Sequence, residues 1–397
     1  MGVYIAGKGI ISAIGLNVDE TLQSLRAGKS GIGNQTNLSG RRDNHLPTGE
    51  IKLSNAELAT MAGLSAEYSR TALLSMIAAK EAMADSGIHI NGLRTGFISA
   101  TTVGGMDKTE QFMTSYIRDG EFKNIEQVLY HDSGAATELV AEPLGIKHFV
   151  STISTACSSS ANSIMYAARL IKTGVLDVAI AGGADAMSLF TLSGFNALMI
   201  LDENYCTPYD ENRKGLNLGE GAGYVVLVSE KVAERLLKAP TVKLTGYANA
   251  NDAFHQTASS PEGKGNYLAM QGALKMSGLE TTAIDYINLH GTGTANNDLS
   301  EGMAIQRIFG EQVPKSSSTK AFTGHTLGAC GGIEAIFSIM AIEQKMIFPN
   351  LRLKTPMKEL SFAPVTELME GVEVKNVLSN SFGFGGNCSS LIFSKVN

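Results

Sequence analysis

The amino-acid sequence predicts an α/β protein built from two similar halves. Short apolar runs, which are typical of buried strands, alternate with longer stretches that have helical periodicity, and this order is typical of α/β folds. A chain of 397 residues is longer than one ordinary hydrophobic core requires, so two domains are expected. Hydrophobic residues make up 44% and charged residues 18%, a composition typical of well-buried globular proteins.

The individual elements follow from the spacing of apolar residues. Strands are predicted in the runs VYIAGKGII, TGFISATTV, DVAIAGGAD and GYVVLVSE. The stretch RTALLSMIAAKEAMADSG is predicted to form a helix that ends at Gly87, because glycine commonly terminates helices.

The second half of the chain repeats the elements of the first half, which indicates a duplication. VYIAGKGII corresponds to VKLTGYANA, TGFISATTVGG to DYINLHGTGT, and LNLGEGAGYVVLVSE to SNSFGFGGNCSSLIFS. STISTACSSSANSIMYAARLIKTG corresponds to SSTKAFTGHTLGACGGIEAIFSIMAIEQKM, since both run from a Ser/Thr-rich strand through a tight turn into an apolar helix. The identities are few, so the repeat rests on the order and type of the elements. We place the boundary so that the halves are 1–238 and 239–397, with a site between them.

Charge and cysteine content exclude several classes of function. The formal net charge of −6 and the pI near 5.7 argue against nucleic-acid binding through a basic field. No apolar run reaches membrane-spanning length, and the N-terminus lacks the features of a signal peptide. Cys157, Cys206, Cys330 and Cys388 lie far apart and form no CxxC motif, which indicates reduced thiols in the cytoplasm rather than disulfides or a zinc site.

Cys157 is the first candidate catalytic residue. It precedes an apolar helical pattern formed by Ala161, Ile164, Met165, Ala168 and Ile171. Unpaired N–H groups and the positive end of the helix dipole at such a position stabilise a thiolate. The alternative is a small buried hydrophobe, which is the usual role of an unpaired cysteine.

Two histidines and a lysine complete the candidate set. His290 ends a strand-like run in INLHGTGTANND, at the edge where α/β folds place ligands, and Thr292 and Thr294 follow it. Lys320 and His325 lie in SSTKAFTGHTLGA, the second-half counterpart of the Cys157 segment, so His325 is predicted to come near Cys157. The alternatives are histidines satisfied by loop backbone and a lysine that extends to the surface.

The glycine-rich segment NSFGFGGNCSS is the last candidate. It can direct a backbone N–H at an oxyanion while Phe382 and Phe384 close a pocket. Alone it is weak evidence, because glycine-rich turns are common.

The motifs TACSSS, NLGEGAG, HGTGT, STKAFTGHTLGA and NSFGFGG together resemble the β-ketoacyl-acyl-carrier-protein synthases, in the elongating branch with a Cys-His-His set. The resemblance covers essentially the whole chain. It implies a duplicated, five-layered α-β-α-β-α thiolase-like fold and a homodimer. It also implies decarboxylative condensation of a malonyl group with an acyl group, in fatty-acid elongation, with substrates delivered by an acyl carrier protein and with no cofactor and no metal.

The resemblance also implies a role for each candidate residue. Cys157 would carry the acyl group as a thioester, and its N–H and that of Phe384 would form the oxyanion hole. His290 and His325 would hold the malonyl thioester, Lys320 would set the electrostatics, and Glu334 would lie beside that lysine. The remaining substrate-binding assignments are Thr292 and Thr294 for the phosphopantetheine arm, Phe382 and Phe384 for the pocket gate, and Val103 for the far end of the acyl chain.

Two departures from the family pattern and three alternatives remain open. Asn387-Cys388 follows GFGG where the family often has Thr-Asn, and Ala295 stands where it often has Pro. Few basic residues are available to dock an acidic carrier, with Arg70, Arg213 and Lys214 as candidates. The alternatives are a ketosynthase of a specialised polyketide or aryl-polyene pathway, a non-catalytic partner subunit of the chain-length-factor type, and a degradative thiolase that uses Cys388.

Overall fold

The computed structural model describes residues 2–37, 46–120 and 122–396. The strands are β1 (Val3–Ser12), β2 (Thr95–Ala100), β3 (Phe149–Ile153), β4 (Val178–Asp185), β5 (Gly221–Ser229), β6 (Val242–Asn251), β7 (Tyr286–Asn288), β8 (Lys315–Ser317), β9 (Met346–Ile347), β10 (Met369–Glu370), β11 (Asn376–Phe382) and β12 (Asn387–Lys395). The helices are α1 (Val18–Arg26), α2 (Asn55–Ala62), α3 (Arg70–Ser86), α4 (Met106–Asp119), α5 (Ser133–Ala141), α6 (Ser159–Lys172), α7 (Leu189–Ala197), α8 (Glu230–Ala233), α9 (Lys264–Ser277), α10 (Ala295–Phe309), α11 (Lys320–Thr323) and α12 (Cys330–Gln344). Short 3-10 segments connect some of them, the longest being Ile125–His131.

Ten of the strands form one sheet in the order β3-β2-β4-β5-β1-β6-β12-β11-β7-β8. Read from each edge to the middle, the two halves give the orders β3-β2-β4-β5-β1 and β8-β7-β11-β12-β6, in which corresponding strands have the same place along the chain of their half. The successive pairings are parallel, parallel, antiparallel and antiparallel in both halves. The two sets of five meet where β1 pairs with β6 through Tyr4 and Ile5. The strand topology is therefore duplicated, while the residue at which the halves divide stays a prediction.

The helices form three layers around these strands. α3 packs on β1 and β5 on one outer face, and α9 packs on β6 and β12 on the other. α6 and α12 lie between the two sets of strands, in contact with each other and with strands of both halves. The layering is the α-β-α-β-α order that the resemblance implied.

The predicted elements form for local reasons that the sequence contains. α3 begins after Ser69, whose side chain accepts a hydrogen bond from Ala72 N, and ends at Gly87 in the left-handed conformation with φ 61°. The four predicted strands appear as β1, β2, β4 and β5, and the last three are buried along their whole length. The apolar face predicted for α6 is part of the largest hydrophobic cluster of the described residues.

α12 is the most buried of the long helices that the structure describes. All but its last two residues are buried, which explains its almost unbroken apolar sequence. Among the described residues, Leu327–Gln344 is the one segment long and apolar enough to cross a membrane, and 89% of it is buried inside the protein. That burial identifies it as a core helix.

Candidate active site

A cavity of about 290 Å³ is lined by residues from both halves of the chain. Seven of the predicted site residues line it: Cys157, His290, Thr292, Thr294, His325, Phe382 and Phe384. The ends of β7 and β11 and the segments that precede α6 and α12 therefore converge on one place, and this place lies between the two halves as expected from the sequence.

Cys157 lies in a tight turn immediately before α6. The preceding residue, Ala156, has φ 53°, in the left-handed region that a residue with a side chain rarely adopts. This turn presents the cysteine two residues before the helix begins at Ser159, with only 7% of the residue exposed. The thiol thus faces a nearly enclosed part of the cavity.

The structure brings the three predicted reactive side chains together. The Cys157 sulfur and one ring nitrogen each of His290 and His325 all lie within 4.8 Å of one another. The two imidazole rings are 5.6 Å apart between centroids and nearly perpendicular, and Phe382 contacts the His290 ring at 6.0 Å. A substrate atom placed beside the sulfur would meet both imidazoles.

The proton on the His290 ring is fixed by its neighbours. Lys320 Nζ lies 3.2 Å from His290 Nδ1, and an ammonium can only donate, so Nδ1 is the acceptor and the ring proton sits on Nε2. Burial, followed by the charge on Lys320 and by His325, holds the pKa of His290 well below its usual value. The ring is therefore neutral at physiological pH.

His325 has the same tautomer for a different reason. The backbone N–H of Leu327 donates to His325 Nδ1 at 3.0 Å, and the Cys330 thiol lies 3.4 Å from the same nitrogen. A ring nitrogen that accepts a backbone N–H cannot carry a proton of its own when the ring is neutral. The neutral ring therefore also carries its proton on Nε2.

Lys320 is buried against a single carboxylate. Its Nζ donates to Glu334 Oε1 at 2.5 Å, and both side chains are almost fully buried. Burial by itself lowers the pKa of Lys320, and the adjacent Glu334 carboxylate outweighs that effect and raises it, so the lysine stays charged. The structure thus places Glu334 beside Lys320, in the arrangement that the resemblance implied.

The Cys-His-His cluster has the composition of a metal site, but its hydrogen bonds oppose metal binding. A histidine that ligates a metal through one nitrogen normally donates its other N–H to an acceptor. Here the Nδ1 atoms of His290 and His325 both face donors, from Lys320 and from Leu327. The residues present therefore fit two N–H donors better than two metal ligands.

The glycine-rich loop after β11 packs against the turn that carries Cys157. A side chain on Gly383 would come within 3.0 Å of the Cys157 nitrogen, so the two backbones are tightly packed and a larger residue would require them to shift by a few tenths of an ångström. The next residue, Phe384, stacks its ring on Phe195 of α7 with centroids 5.9 Å apart. Phe384 and Cys157 thus line the same cavity.

The Asn387-Cys388 departure has a structural effect at one residue. The Asn387 side chain accepts hydrogen bonds from Ser158 Oγ and Asn162 Nδ2, both at 3.0 Å, and so ties β12 to the start of α6. Cys388 is buried away from the cavity, with its thiol 3.1 Å from Asn266 Oδ1. A second catalytic cysteine at 388, as a degradative thiolase would need, does not fit this geometry.

Two of the residues predicted to dock a carrier protein are structural. Arg70 is buried in a two-point ion pair with Glu220, its Nη2 2.7 Å and its Nε 2.9 Å from the carboxylate. The Arg213 side chain, 8% exposed, donates to three backbone oxygens and lies 3.7 Å from Asp298. The docking assignment is wrong for both, because each charge already has a buried partner.

Of the remaining two candidates, Lys214 and Val103, only Lys214 lines the cavity. Lys214 is exposed and lines the mouth of the cavity, so it is the one basic residue of the three that a partner could reach. Val103 does not line the cavity; it packs in a neighbouring apolar cluster with Phe195 and Ile200, which do. Its role at the end of an acyl chain stays a prediction.

Sequence reasoning missed a buried carboxylate behind His290. Both oxygens of Glu301 accept backbone N–H groups, from His290 at 2.9 Å and from Gly291 at 2.8 Å, and Asn380 donates to it as well. Burial raises the pKa of Glu301 to about 7. Its signal in the sequence is an acidic residue, one turn after Asp298, on the buried face of the helix that follows HGTGT.

Comparison with known proteins agrees with this geometry. Residues 2–233 match the model of the beta-ketoacyl synthase N-terminal domain, and residues 242–354 match that of the C-terminal domain. The 3-oxoacyl-acyl-carrier-protein synthase 2 of Staphylococcus aureus (strain COL) is 34% identical over 99% of this chain and 98% of its own.

Two solved structures are similar over the full length. The ishigamide ketosynthase/chain length factor is 28% identical with a TM-score of 0.93, covering 100% of this chain and 99% of that one. A type II polyketide ketosynthase solved with its acyl-carrier protein is 26% identical with a TM-score of 0.90, again covering 100% and 99%. The chain therefore belongs to the β-ketoacyl synthase family, whose members are condensing enzymes of the acyltransferase class.

Proposed function

We propose that this protein catalyses the decarboxylative condensation of a malonyl thioester with an acyl group carried on Cys157, as a 3-oxoacyl-acyl-carrier-protein synthase of fatty-acid elongation. The observation that carries the proposal is the set of two neutral imidazoles with Nε2 protons next to one buried thiol. A nucleophile and two donors of this kind serve a reaction that builds negative charge on a thioester oxygen.

The decarboxylation uses the histidines. When the malonyl C–C bond breaks, CO₂ leaves and the electron pair moves onto the thioester oxygen as an enolate. The Nε2–H groups of His290 and His325 hydrogen-bond that oxygen, and because their protons are already fixed by Lys320 and Leu327, no reorganisation is needed as the charge develops.

The condensation uses Cys157. The carbanion attacks the acyl thioester carbonyl, whose oxygen becomes negative and accepts from the N–H groups of Cys157 and Phe384. The C–S bond then breaks, the β-ketoacyl product stays on its carrier, and Cys157 leaves as a thiolate. The tight packing of Gly383 on the Cys157 nitrogen supports this placement of the two N–H groups.

The substrates arrive on a carrier protein. Thr292 and Thr294 line the cavity and bond to each other at 2.9 Å, so their hydroxyls can turn to the amide groups of a phosphopantetheine arm. Lys214 at the mouth supplies a positive charge for an acidic carrier. The reaction as written requires no metal and no redox cofactor.

The protein is proposed to act in the cytoplasm as a homodimer. β3 is an edge strand of the ten-stranded sheet and has the exposed apolar residue Val150 on it. An edge of this kind favours pairing with a second copy. A Val150→Lys variant should be monomeric in sedimentation, and an unchanged dimer would place the interface elsewhere.

The decisive experiment is acyl transfer to Cys157. The protein is incubated with acyl carriers of graded length, and intact mass with peptide mapping locates the thioester. Acylation of Cys157, absent in Cys157→Ala and retained in Cys388→Ser, supports the proposal, whereas labelling of another cysteine would contradict it.

A specialised polyketide or polyene pathway is the second candidate. The likeness to the ishigamide ketosynthase/chain length factor favours it, while the identity to the Staphylococcus aureus enzyme favours fatty-acid elongation. The same experiment separates them, because a specialised enzyme should prefer unsaturated or β-oxidised acyl carriers over saturated ones.

A further inference from the structure

We propose that Asp185 is a positioning residue for His325, and that it keeps the Nε2 proton of that imidazole directed into the active site. The proposal rests on the function proposed above. It comes from an acidic side chain at the end of β4 that is completely buried and that does not line the cavity.

Asp185 accepts hydrogen bonds from two parts of the fold. Its Oδ1 accepts from Thr101 Oγ1 and from Thr102 N at 2.9 Å, in the loop after β2. Its Oδ2 accepts from Thr102 Oγ1 at 2.6 Å and from Gly328 N at 2.7 Å. Val103 N also donates to Oδ1, at 3.3 Å. The carboxylate therefore joins the end of β2 to the turn before α12.

No basic side chain of the described residues forms an ion pair with Asp185. Burial raises its pKa, and the hydroxyl and backbone donors oppose that effect. A buried carboxylate held only by neutral donors is costly to the fold, so stability alone gives little reason for this residue. Its position next to the catalytic turn supplies another reason.

The turn that Asp185 holds is the one that sets the His325 tautomer. Leu327 donates its N–H to His325 Nδ1 at 3.0 Å, and the next N–H along the chain, that of Gly328, is bound by Asp185. The peptide N–H of Leu327 therefore bonds to the His325 ring, and the next peptide N–H, that of Gly328, bonds to the Asp185 carboxylate.

This turn needs an external restraint. Leu327 has φ 53°, a conformation that is strained for a residue with a side chain and persists only when its surroundings enforce it. The Gly328 to Asp185 bond fixes the peptide that follows Leu327. If it is lost, the turn can relax, the Leu327 N–H leaves His325 Nδ1, and the ring proton can move to that nitrogen, so that the enolate loses one of its two donors.

The test is the isosteric variant Asp185→Asn, in which an NH₂ group replaces one of two oxygens that each accept several hydrogen bonds. We expect CO₂ release from malonyl carrier to fall by about 10- to 100-fold, as for other residues that orient a catalytic ligand, and acylation of Cys157 to fall by less than about threefold. In ¹⁵N spectra of histidine-labelled protein, the His325 ring should change from the Nε2–H tautomer to a mixture.

The matched control is Glu81→Gln. Glu81 also accepts two backbone N–H groups, from Ile10 and Val18 at 2.8 Å, but it lies outside the site. We expect this variant to lose stability without separating the two rates and without a change in the His325 tautomer. If Asp185→Asn does not fold, Thr102→Val keeps the carboxylate, removes one of its donors and should shift the tautomer in the same direction.

Equal losses of the two rates, or an unchanged His325 tautomer in the variants, would overturn the proposal for Asp185. A wild-type protein that neither releases CO₂ nor acylates Cys157 would instead overturn the proposed function. The tautomer measurement needs no turnover, so the two failures are distinguishable.

Discussion

The turn at Cys157 and the turn at Gly328 occupy equivalent places in the two halves of the molecule. Ala156 and Leu327 both have φ 53°, and a helix begins three residues after each, at Ser159 and at Cys330. Cys157 and Gly328 are therefore counterparts. The backbone is duplicated, and the difference lies in what each turn faces.

The difference shows what this turn is suited to bind. The N–H of Gly328 binds a carboxylate oxygen of Asp185 at 2.7 Å. The N–H of Cys157 has the same place in its own half, next to the cavity that Cys157 lines. One copy of the turn is thus filled by an anionic oxygen of the protein itself, which supports the proposal that the other copy binds an oxyanion of the substrate.

The two halves differ also in the connection before the turn. β3 leads to Cys157 through a few residues, whereas β8 leads to Gly328 through the extra helix α11, which carries Lys320, and through His325. In the proposed mechanism, the first half supplies the nucleophile, and the second half supplies the groups that stabilise charge. The two halves share a backbone but carry different functional groups, and neither half alone contains both sets.

The largest expected effect comes from removing the thiol that distinguishes the two turns. Cys157→Gln should abolish acylation and condensation, since the amide cannot form a thioester. It should keep or increase CO₂ release from malonyl carrier, because the amide carbonyl stands where the acyl carbonyl would and no acceptor consumes the enolate. Both rates are measured on the same preparation; loss of CO₂ release would show that the tasks are not separate.

The next effect tests the second half. His290→Ala removes one enolate donor and should lower CO₂ release by about 100- to 1,000-fold, by analogy with other oxyanion donors. Acylation of Cys157 should fall much less. His325→Ala should behave similarly, so a variant of either histidine that releases CO₂ at the wild-type rate would remove that residue from the decarboxylation.

A smaller effect concerns the pH dependence of the second half. Burial, then Lys320, lowers the pKa of His290, so protonation of His290 should not reduce CO₂ release by the wild type as pH falls through 6.5, the ordinary histidine value. Lys320→Met removes the second cause and should move the acid limb of the pH–rate profile to higher pH. Coincident limbs would show that Lys320 does not keep His290 neutral.

These residues also show how far the sequence could predict the site. Cys157, His290 and His325 were predictable because each lies in a motif with its own local signature, and the duplication predicted that His325 comes near Cys157. Asp185 and Glu301 were not, since their partners are backbone N–H groups and side chains that lie far away in the sequence. Arg70 was mistaken for a surface residue because its partner Glu220 is distant in the sequence.

The stability of a Gly328 variant tests whether Asp185 fills the second of the two turns. A Cβ there would come within 2.8 Å of Asp185 Oδ2 and 3.0 Å of a Thr102 methyl group. Gly328→Ala should therefore destabilise the protein by about 1–3 kcal/mol, as overpacking does. Gly33→Ala is the control, because a methyl at Gly33 would meet nothing within 4 Å. Equal melting temperatures for the two variants would mean that Asp185 does not fill the Gly328 turn.

The smallest effect concerns Ala156 and Leu327, the residues with φ 53° in the two turns. We expect glycine at these two positions to change the free energy of unfolding in opposite directions. Glycine at Ala156 relieves a left-handed conformation that costs about 1–2 kcal/mol, and its greater freedom in the unfolded chain offsets about 0.5–1 kcal/mol of that gain. Ala156→Gly should be stabilising by less than about 1 kcal/mol. Leu327→Gly relieves the same strain but deletes a leucine side chain that is 4% exposed, a loss of about 2–5 kcal/mol, so its net effect should be destabilising. Urea unfolding of both variants measures the difference, and a destabilised Ala156→Gly would mean that the turn before Cys157 is held without strain.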